Sequence, residues 1–380
     1  MKQSWEVMKL GDVLKLEYGK PLSKEKRISD GKYPIYGANG EKGRTNAFYF
    51  DKKTIVVGRK GSAGEINLTE ERFWPLDVSY FVTYDDKKYN LSFLFNLLSI
   101  LELPKLAKGV KPGINRNEVY EIVVKLPPLL EQQRIVAILD EAFAAIAKAK
   151  ANAEQNLKNA KELFESYLQG VFDPSTRSGQ GGEGWEEKTL NQISENLDSK
   201  RIPITKNVRN EGTIPYYGAS GIVDYVADYL FDEDLLCVSE DGANLLARTY
   251  PIAFSISGKT WVNNHAHVLR FKNMVSQKFV ELYLNSIKLD DYVSGMAQPK
   301  LNQTMLNKIP IPFPSLKEQQ TIVQKLDALS AETKKLEAIY QQKKNDLEEL
   351  KKSILNKAFT GELKTTNAIA LEILRDKTIV

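Results

Sequence analysis

Polar and basic residues that could contact a ligand lie beside glycines at several points of this 380-residue chain. Arginine and lysine suit phosphate oxygens and the guanine edge, and asparagine and glutamine suit adenine, so the residue types favour nucleic-acid binding. A solvated surface is the alternative for any one of them. The candidate contact residues are Lys24, Arg27, Asn39, Arg59, Lys60, Ser62, Lys111, Asn115, Arg116, Lys200, Arg201, Asn244, His265, Lys300 and Asn302.

Motifs for catalysis are absent from the sequence. The run GRKGSAG at 58–64 lacks the spacing of a phosphate-binding loop, and no Asn-Pro-Pro-Tyr run for base methylation or acidic nuclease cluster stands out. His265 and His267 would share one face of a strand, where metal binding is conceivable, but Cys237 is the only other soft ligand. Polar residues satisfied by their neighbours are the preferred interpretation, and Cys237 is most simply a small core residue. We therefore predict no catalytic and no metal-binding residue.

An internal repeat sets the positions of these loops and covers nearly the whole chain. The matching stretches are 34–40 with 215–221, 112–115 with 299–302, and 131–172 with 318–359. So long a period indicates a duplicated domain, not a solenoid. Framework positions match while loop positions diverge, as in Arg59-Lys60 against Glu240-Asp241. That is the pattern expected of two readers of different targets on one frame.

Each copy ends in a long amphipathic helix that begins at a repeated phrase, EQQRIVAILD at 131–140 and EQQTIVQKLD at 318–327. Ser315 and Glu318 read as a capping box for the second helix. Each helix has an apolar stripe, which is rich in alanine in the first helix and carries bulkier side chains in the second. This difference predicts that the helices pack on each other in antiparallel orientation, with a pseudo-twofold arrangement. The apolar stripes are Ile135, Leu139, Ala142, Ile146, Ala149 and Ala153 in the first helix, and Ile322, Leu326, Leu329, Leu336, Tyr340 and Leu347 in the second. Two unrelated helices that cover their own domains are the alternative.

The globular parts between the helices read as α+β units with many loops. Strands are predicted at 54–58, 80–84, 119–126, 235–239, 266–271 and 308–311, and one clear helix each at 90–101 and 276–287. Composition supports folded cores, with 42% hydrophobic and 27% charged residues, and the net charge of +4 permits a nucleic-acid partner. A single cysteine, no apolar signal core and no long apolar run favour a cytoplasmic protein without a membrane span.

Taken together, these phrases resemble the specificity subunit of type I restriction–modification enzymes. The phrases that carry the resemblance are PPLLEQQRIV at 127–136, PSLKEQQTIV at 314–323, PIYGANG at 34–40, GRKGSAG at 58–64, WPLDVSY at 74–80, KPGIN at 111–115 and FTGEL at 359–363. The resemblance implies recognition domains at 1–128 and 185–314. It also implies spacer helices at 129–172 and 315–359, a linker at 173–184 and a tail at 360–380.

Such a subunit is not an enzyme. The resemblance implies that it binds double-stranded DNA at an asymmetric, two-part site, each recognition domain reading one half through the major groove. Half-site centres would lie about 34–36 Å apart, one helical turn, with the helices fixing the gap. The implied partners are two modification subunits, which use S-adenosylmethionine, and two restriction subunits, which use ATP and Mg²⁺. The chain itself would bind no cofactor. Two rivals stay open: a stand-alone methyltransferase or nuclease, and a pure protein-interaction scaffold.

Overall fold

The structure, a computed structural model, describes residues 5–173, 185–295 and 298–363. These residues form two units: unit 1 holds 5–153 and 342–363, and unit 2 holds the described residues of 154–341. Each unit therefore contains one globular part and a portion of both long helices. The predicted linker from 174 and the predicted tail from 364 lie outside the described residues.

Unit 1 joins short strands and helices by turns. Its strands are β1 Glu6–Lys9, β2 Leu14–Tyr18, β3 Tyr33–Gly37, β4 Gly40–Thr45, β5 Ile55–Gly58, β6 Ile66–Leu68, β7 Trp74–Pro75, β8 Ser79–Tyr84 and β9 Val123–Leu126. Its short helices are α1 Leu10–Val13, α2 Leu91–Ile100 and α3 Arg116–Tyr120. The strands pair as β1-β9, as β2-β8-β5-β6 and as β4-β3-β7. The fully buried strand β5 and the apolar face of α2 form the centre of the core.

Unit 2 repeats this topology. Its strands are β10 Glu186–Lys188, β11 Ser194–Asn196, β12 Glu211–Gly218, β13 Gly221–Val226, β14 Phe231–Asp232, β15 Leu235–Ser239, β16 Ala253–Ile256, β17 Lys259–Val262, β18 Ala266–Phe271 and β19 Ile311–Phe313. Its short helices are α5 Leu190–Ile193, α6 Asn244–Ala247, α7 Met274–Ser286 and α8 Gln303–Leu306. The sheets are β10-β19, β11-β18-β15-β16 and β13-β12-β17-β14, which match those of unit 1 with one added strand. Cys237 is a fully buried core residue of β15, and burial raises the pKa of its thiol.

The long helices are α4, Leu129–Phe172, and α9, Leu316–Thr360. Within unit 1 they are antiparallel, because Phe143 lies under the Lys351 ammonium while Lys150 pairs with Glu348 at 2.6 Å. In the same unit residues of α4 and of α9 share one core: Ala142 and Ile146, with Leu347 and Ile354. The predicted antiparallel packing of the two helices is therefore confirmed in this unit, whereas apolar residues of similar size occur on both sides of the seam. Neither helix, within the described residues, is long and apolar enough to cross a membrane.

One predicted position of the α9 stripe is wrong. Leu336 is 38% exposed, whereas Thr333 is only 8% exposed. Burial follows positions seven residues apart, with Leu326, Thr333 and Leu347 all buried. Leu336 lies outside that row, so its hydrophobicity misled the sequence interpretation.

Three local predictions also need correction. The strand predicted at 119–126 begins only at Val123, because Asn115 caps the short helix α3 over the preceding residues. The strand predicted at 308–311 is instead Ile311–Phe313, since the turn after α8 continues through residue 309. Of the capping box only one half forms. Glu318 N–H donates to Ser315 Oγ at 3.3 Å, while the Glu318 carboxylate accepts from the Trp185 indole at 2.8 Å.

A buried glutamine attaches each long helix to the globular part of its own unit. Gln132 is 1% exposed; its amide nitrogen donates to Pro127 O at 2.9 Å and to Lys88 O at 3.2 Å. Its amide oxygen accepts from Asn90 N–H, at the start of α2, at 2.9 Å. All polar atoms of this amide are therefore used to fix where α4 begins.

The same attachment recurs in unit 2. Gln319, also 1% exposed, donates to Pro314 O at 2.8 Å and accepts from Ser276 Oγ, near the start of α7, at 2.8 Å. The repeated phrase EQQ therefore encodes a buried amide at its second position in each copy of 131–140 and 318–327. The glutamine that follows it is exposed in both copies.

We expect Gln132→Ala to destabilise the start of α4, because it leaves buried backbone groups without partners, at a cost of about 2–4 kcal/mol. Hydrogen exchange at 129–139 should accelerate, while exchange at 316–326 should stay unchanged. Gln133→Ala is the matched control, since Gln133 is exposed and gains the same helix propensity. Equal exchange in both variants would refute the attachment.

Candidate nucleic-acid interface

The repeated phrases of unit 1 form three loops that lie side by side. The first loop, residues 37–40, is the turn between β3 and β4, and the second, residues 58–64, follows β5. The third loop, residues 108–115, precedes α3. Loops held by a rigid scaffold are common binding elements. Most of the predicted contact residues of unit 1 lie on or directly beside these three loops.

Backbone hydrogen bonds fasten the second loop to the third. Gly61 N–H donates to Pro112 O at 2.8 Å, and Ile114 N–H donates to Arg59 O at 3.0 Å. Gly61 has a φ of 84°, a left-handed conformation that favours glycine. The loops are thereby held in one arrangement without using any side chain, which leaves the side chains available for a ligand.

A close approach of backbone to backbone joins the first loop to the second. A Cβ atom added to Gly58 would lie 2.6 Å from Ala38 O and 2.0 Å from Ser62 O. No other residue type fits there without moving a loop. Gly58, the first glycine of the GRKGSAG run, is therefore explained by close packing and not by phosphate binding.

Unit 2 builds the same three loops from residues 218–221, 239–243 and 294–302, of which 296–297 are not described. Gly242 N–H donates to Pro299 O at 2.9 Å, and Leu301 N–H donates to Glu240 O at 2.8 Å. These bonds correspond one for one to those of unit 1. The two units therefore present equivalent loops on equivalent frameworks.

Beneath the loops of unit 1 lies a cluster of aromatic rings and guanidinium groups, which we call the aromatic node: Tyr18, Tyr80, Arg59 and Arg116. The two tyrosine rings lie 5.1 Å apart. The guanidinium carbons of Arg59 and Arg116 lie 5.3 and 4.8 Å from the Tyr18 ring centre. Arg59 also donates to Asp77 O at 3.0 Å, and Arg116 to Leu16 O at 3.3 Å. Both guanidiniums are thus oriented by carbonyl oxygens, and among the described residues no carboxylate pairs with either of them.

The loop tips of unit 1 carry free polar groups. Within the described residues, the side chains of Lys60, Lys111 and Asn39 have no hydrogen-bond or ion-pair partner, and all three are exposed. Val110, between the cations of the third loop, is fully exposed. Lys108 pairs with Glu118 at 2.8 Å, whereas the positive charges of Lys60 and Lys111 suit an anionic backbone such as that of DNA.

Beneath the loops of unit 2 lies an ionic cluster instead, which we call the ionic node: Asp198, Arg201, Glu240 and His267. Arg201 donates to Glu240 Oε2 at 2.8 Å and lies 3.5 Å from Asp198 Oδ2. His267 Nδ1 lies 2.6 Å from Asp198 Oδ2. The side chains are only 1–13% exposed, so the ion pairs are shielded from water.

The two carboxylates of the ionic node are held in the charged form. Burial pushes the pKa of Asp198 upward, but hydrogen bonds from His267 and from Val268 N–H, with the charge of Arg201, outweigh it and lower that pKa. Burial likewise opposes the lowered pKa of Glu240, which follows from Arg201, His267 and Lys300. Both carboxylates therefore remain anions at neutral pH.

Asp198, Glu240 and His267 present ligand atoms within 4.8 Å of one another, a spacing that could suit a metal ion. Their atoms are already committed, because His267 Nε2 contacts Leu301 O at 2.8 Å and Glu240 also binds Lys300 at 3.2 Å. Arg201 supplies positive charge where an ion would sit. The cluster is thus better described as an ion-pair network.

Several predicted contact residues have structural partners of their own. Asn115 accepts from Asn117 N–H and Asn302 from Met305 N–H, both at 3.0 Å, so each caps a short helix. Asn244 exchanges two hydrogen bonds of 2.9 Å with the backbone of Tyr250. These contacts fix the asparagine side chains, and the proposed DNA contacts of these residues remain a prediction.

The other predicted residues differ in how they relate to the loops. His265 and Lys300 lie on the loop side of unit 2, where His265 Nδ1 contacts the Asp241 carboxylate at 2.9 Å. Ser62 lies half-buried on the second loop of unit 1, and Lys200 is exposed beside Arg201. Lys24 and Arg27 lie outside the three loops, on the segment after β2, where Arg27 donates to Leu22 O at 3.1 Å.

Sequence reasoning missed the residues beneath the loops. Tyr18, Tyr80 and Asp198 are not among the candidates, whereas His267 is interpreted from the sequence as a polar residue satisfied by its neighbours, as its contacts with Asp198 and Leu301 O show. The repeat could have revealed them, because Tyr18 matches Asp198 and Tyr80 matches His267 once the strands are aligned by register.

The sequence matches a known protein family and several of its members. Residues 2–158 and 182–349 match the family model described as the type I restriction modification DNA specificity domain. A putative type I restriction enzyme specificity subunit from Haemophilus influenzae is 35% identical over 177 residues, which is 47% of this chain and 42% of that protein. The specificity subunit of the type I restriction enzyme EcoDI from Escherichia coli is 23% identical over 94% of this chain and 88% of its own length.

Solved structures share the fold. A chain from a structure of complex assembly in a type I R-M system is 18% identical, covers 95% of this chain and 99% of its own, and gives a TM-score of 0.73. The HsdS subunit from Thermoanaerobacter tengcongensis is 19% identical over 95% of this chain and 98% of its own, with a TM-score of 0.61.

Proposed function

Because the chain belongs to the family of type I restriction modification DNA specificity domains, we propose that it reads a bipartite, asymmetric double-stranded DNA site with a fixed gap. The recognition loops of unit 1 read one half and those of unit 2 read the other. The chain is a non-catalytic, cytoplasmic subunit that also holds two modification and two restriction subunits. S-adenosylmethionine, ATP and Mg²⁺ are used by those partners, and none is bound by this chain.

The observation that carries this proposal is that the two units share one loop framework but place different side chains on it. Backbone bonds between the second and third loops are the same in both units, while Arg59-Lys60 stands where unit 2 has Glu240-Asp241. A backbone frame that is kept while the charges of its loop side chains change sign suits two readers of different base sequences. Glu240 is paired with Arg201 and Lys300, so in unit 2 the His265–Asp241 pair is the better placed to meet a base.

Adenine methylation mapped across a genome that carries this chain with its modification partner tests the function. We expect one motif with two different halves separated by an unspecified gap of constant length. A short continuous palindrome, or no methylation, would contradict the two-reader proposal and favour the protein-interaction scaffold. Binding of S-adenosylmethionine by the purified chain alone would instead favour a stand-alone methyltransferase.

Arg59→Ala and Lys60→Ala should separate base reading from phosphate binding. Arg59 is oriented by Asp77 O and Tyr18, whereas Lys60 is unpaired within the described residues. We expect Arg59→Ala to relax one position of one half-site, at a cost of about 1–3 kcal/mol. Lys60→Ala should weaken binding to every sequence and reduce the slope of log affinity against log salt by about 1.

Quantitative binding of the assembled methyltransferase to matched and mismatched duplexes at several salt concentrations gives both values. An equal loss on all sequences in Arg59→Ala would make Arg59 a phosphate contact.

Removing one heptad tests whether the long helices set the length of the gap between the two DNA half-sites. Deletion of residues 142–148 from α4 removes Ala142 and Ile146 from the seam and should abolish recognition. Deletion of 142–148 together with 346–352, which face them in unit 1, keeps the pairing and shortens both helices by about 10 Å. Methylation mapping should then show a gap shorter by about 3 base pairs at 3.4 Å each. An unchanged gap in the double deletion would exclude this role.

A further inference from the structure

A hydrophobic side chain lies fully exposed at the tip of the third loop of unit 1. Among the described residues of the three loops of this unit, Val110 is the only large hydrophobic residue that is exposed. Ile114, the other large one, is 4% exposed and belongs to the core. Single exposed apolar residues are common on protein surfaces, so the inference depends on where Val110 lies and not on its exposure alone.

The backbone around Val110 forms a closed hairpin. Lys108 N–H donates to Gly113 O at 2.9 Å, and Gly113 N–H donates to Lys108 O at 3.0 Å. Gly109, directly before the valine, has a φ of 93°, in the left-handed region that favours glycine. The hairpin is also fastened to the second loop by the backbone bonds described above. Because this backbone is already ordered, a contact made by the valine side chain costs little further loss of freedom.

Neither burial nor turn chemistry accounts for a valine at this tip. Tight turns favour glycine, proline, asparagine, aspartate and serine, whereas β-branched residues favour strands. The fully exposed Val110 side chain also gains no burial within the described residues. A ligand that covers the tip would supply that burial.

The charges beside Val110 suit nucleic acid but leave the valine without a role in phosphate binding. Lys111 follows it in the chain, and Lys60 forms a backbone bridge with Gly113. In the part of the chain that the structure describes, both ammonium groups are exposed and unpaired. Such cations bind phosphate oxygens, from which an apolar side chain gains nothing, so the group that covers Val110 belongs to a base.

The C5 methyl of thymine is the one apolar group that the base edges present in the major groove. We propose that Val110 is a specificity-determining residue that contacts the methyl group of one thymine in the half-site read by unit 1. This rests on the proposed two-reader function. The contact removes both apolar groups from water and uses no hydrogen bond, so it selects thymine against bases that lack a C5 methyl.

Replacement of thymidine by deoxyuridine tests the proposal with the unchanged protein, because it removes only the methyl group and keeps the hydrogen-bonding groups of the base. Affinity of the assembled methyltransferase is measured for duplexes that carry its methylation motif, with the thymines replaced one at a time. We expect one thymine whose replacement lowers the affinity about fourfold, the factor that corresponds to burial of one methyl group.

A double-mutant cycle assigns that methyl group to Val110. Val110→Ala should lower the affinity for the thymine duplex by at least about the same factor, and deoxyuridine at the responding position should then have no further effect. Val123→Ala is the matched control, since Val123 is 62% exposed on β9, outside the three loops, and it should keep the fourfold discrimination. Both positions are exposed, so neither substitution should disturb folding.

The other outcomes separate this role from the function on which it rests. If no thymine responds, or if the response persists unchanged in Val110→Ala, Val110 does not read a methyl group, and the two-reader function stands. An equal loss on every sequence in Val110→Ala would make the valine a wedge between base steps or a contact without specificity, and would also overturn the proposal. Absence of any two-part motif would instead overturn the proposed function.

Discussion

A buried amide at the start of each long helix is the contact on which the arrangement of each unit depends. Gln132 and Gln319 use their side chains to tie the helix start to the end of the preceding strand and to the first turn of a domain helix. A helix of more than 40 residues amplifies any change of angle at its origin. Fixing that origin with a directional, fully buried hydrogen-bonding group is more selective than apolar packing alone, because a displaced amide would leave several buried groups unpaired.

With the helix origin fixed, the recognition loops can vary. Glycines and backbone hydrogen bonds carry the loop framework, and this framework does not depend on which side chains the loops expose. The support beneath the loops also changes between units, from rings and guanidiniums around Tyr18 to ion pairs around Asp198. The Tyr80 hydroxyl donates to Ile114 O in unit 1, and His267 Nε2 contacts the equivalent Leu301 O in unit 2. The same loop carbonyl is therefore held by different side chains in the two units.

Much of this architecture could be predicted because the chain is written twice. The repeat marks the long helices, their antiparallel pairing and the loops that diverge, and periodicity locates α2 and α7. Finer features depend on context that a single sequence does not contain. The sequence alone does not show that Asn115 and Asn302 cap short helices. Leu336 looks like a seam residue but lies outside the seven-residue row through Thr333. Which side chain of EQQ is buried also follows only from packing against Asn90 and Ser276.

The division of the two long helices has a consequence for how the chain is made. Unit 2 is a continuous stretch of sequence within 154–341, whereas unit 1 combines 5–153 with 342–363. During synthesis from the N-terminus, the inner unit has all its residues before the outer one is complete. Until residues such as Leu347 and Ile354 emerge, the apolar seam of α4 around Ala142 and Ile146 has no partner. The half translated first is therefore the half that finishes folding last, and until then the nascent chain carries the apolar stripe of α4 without its partner helix.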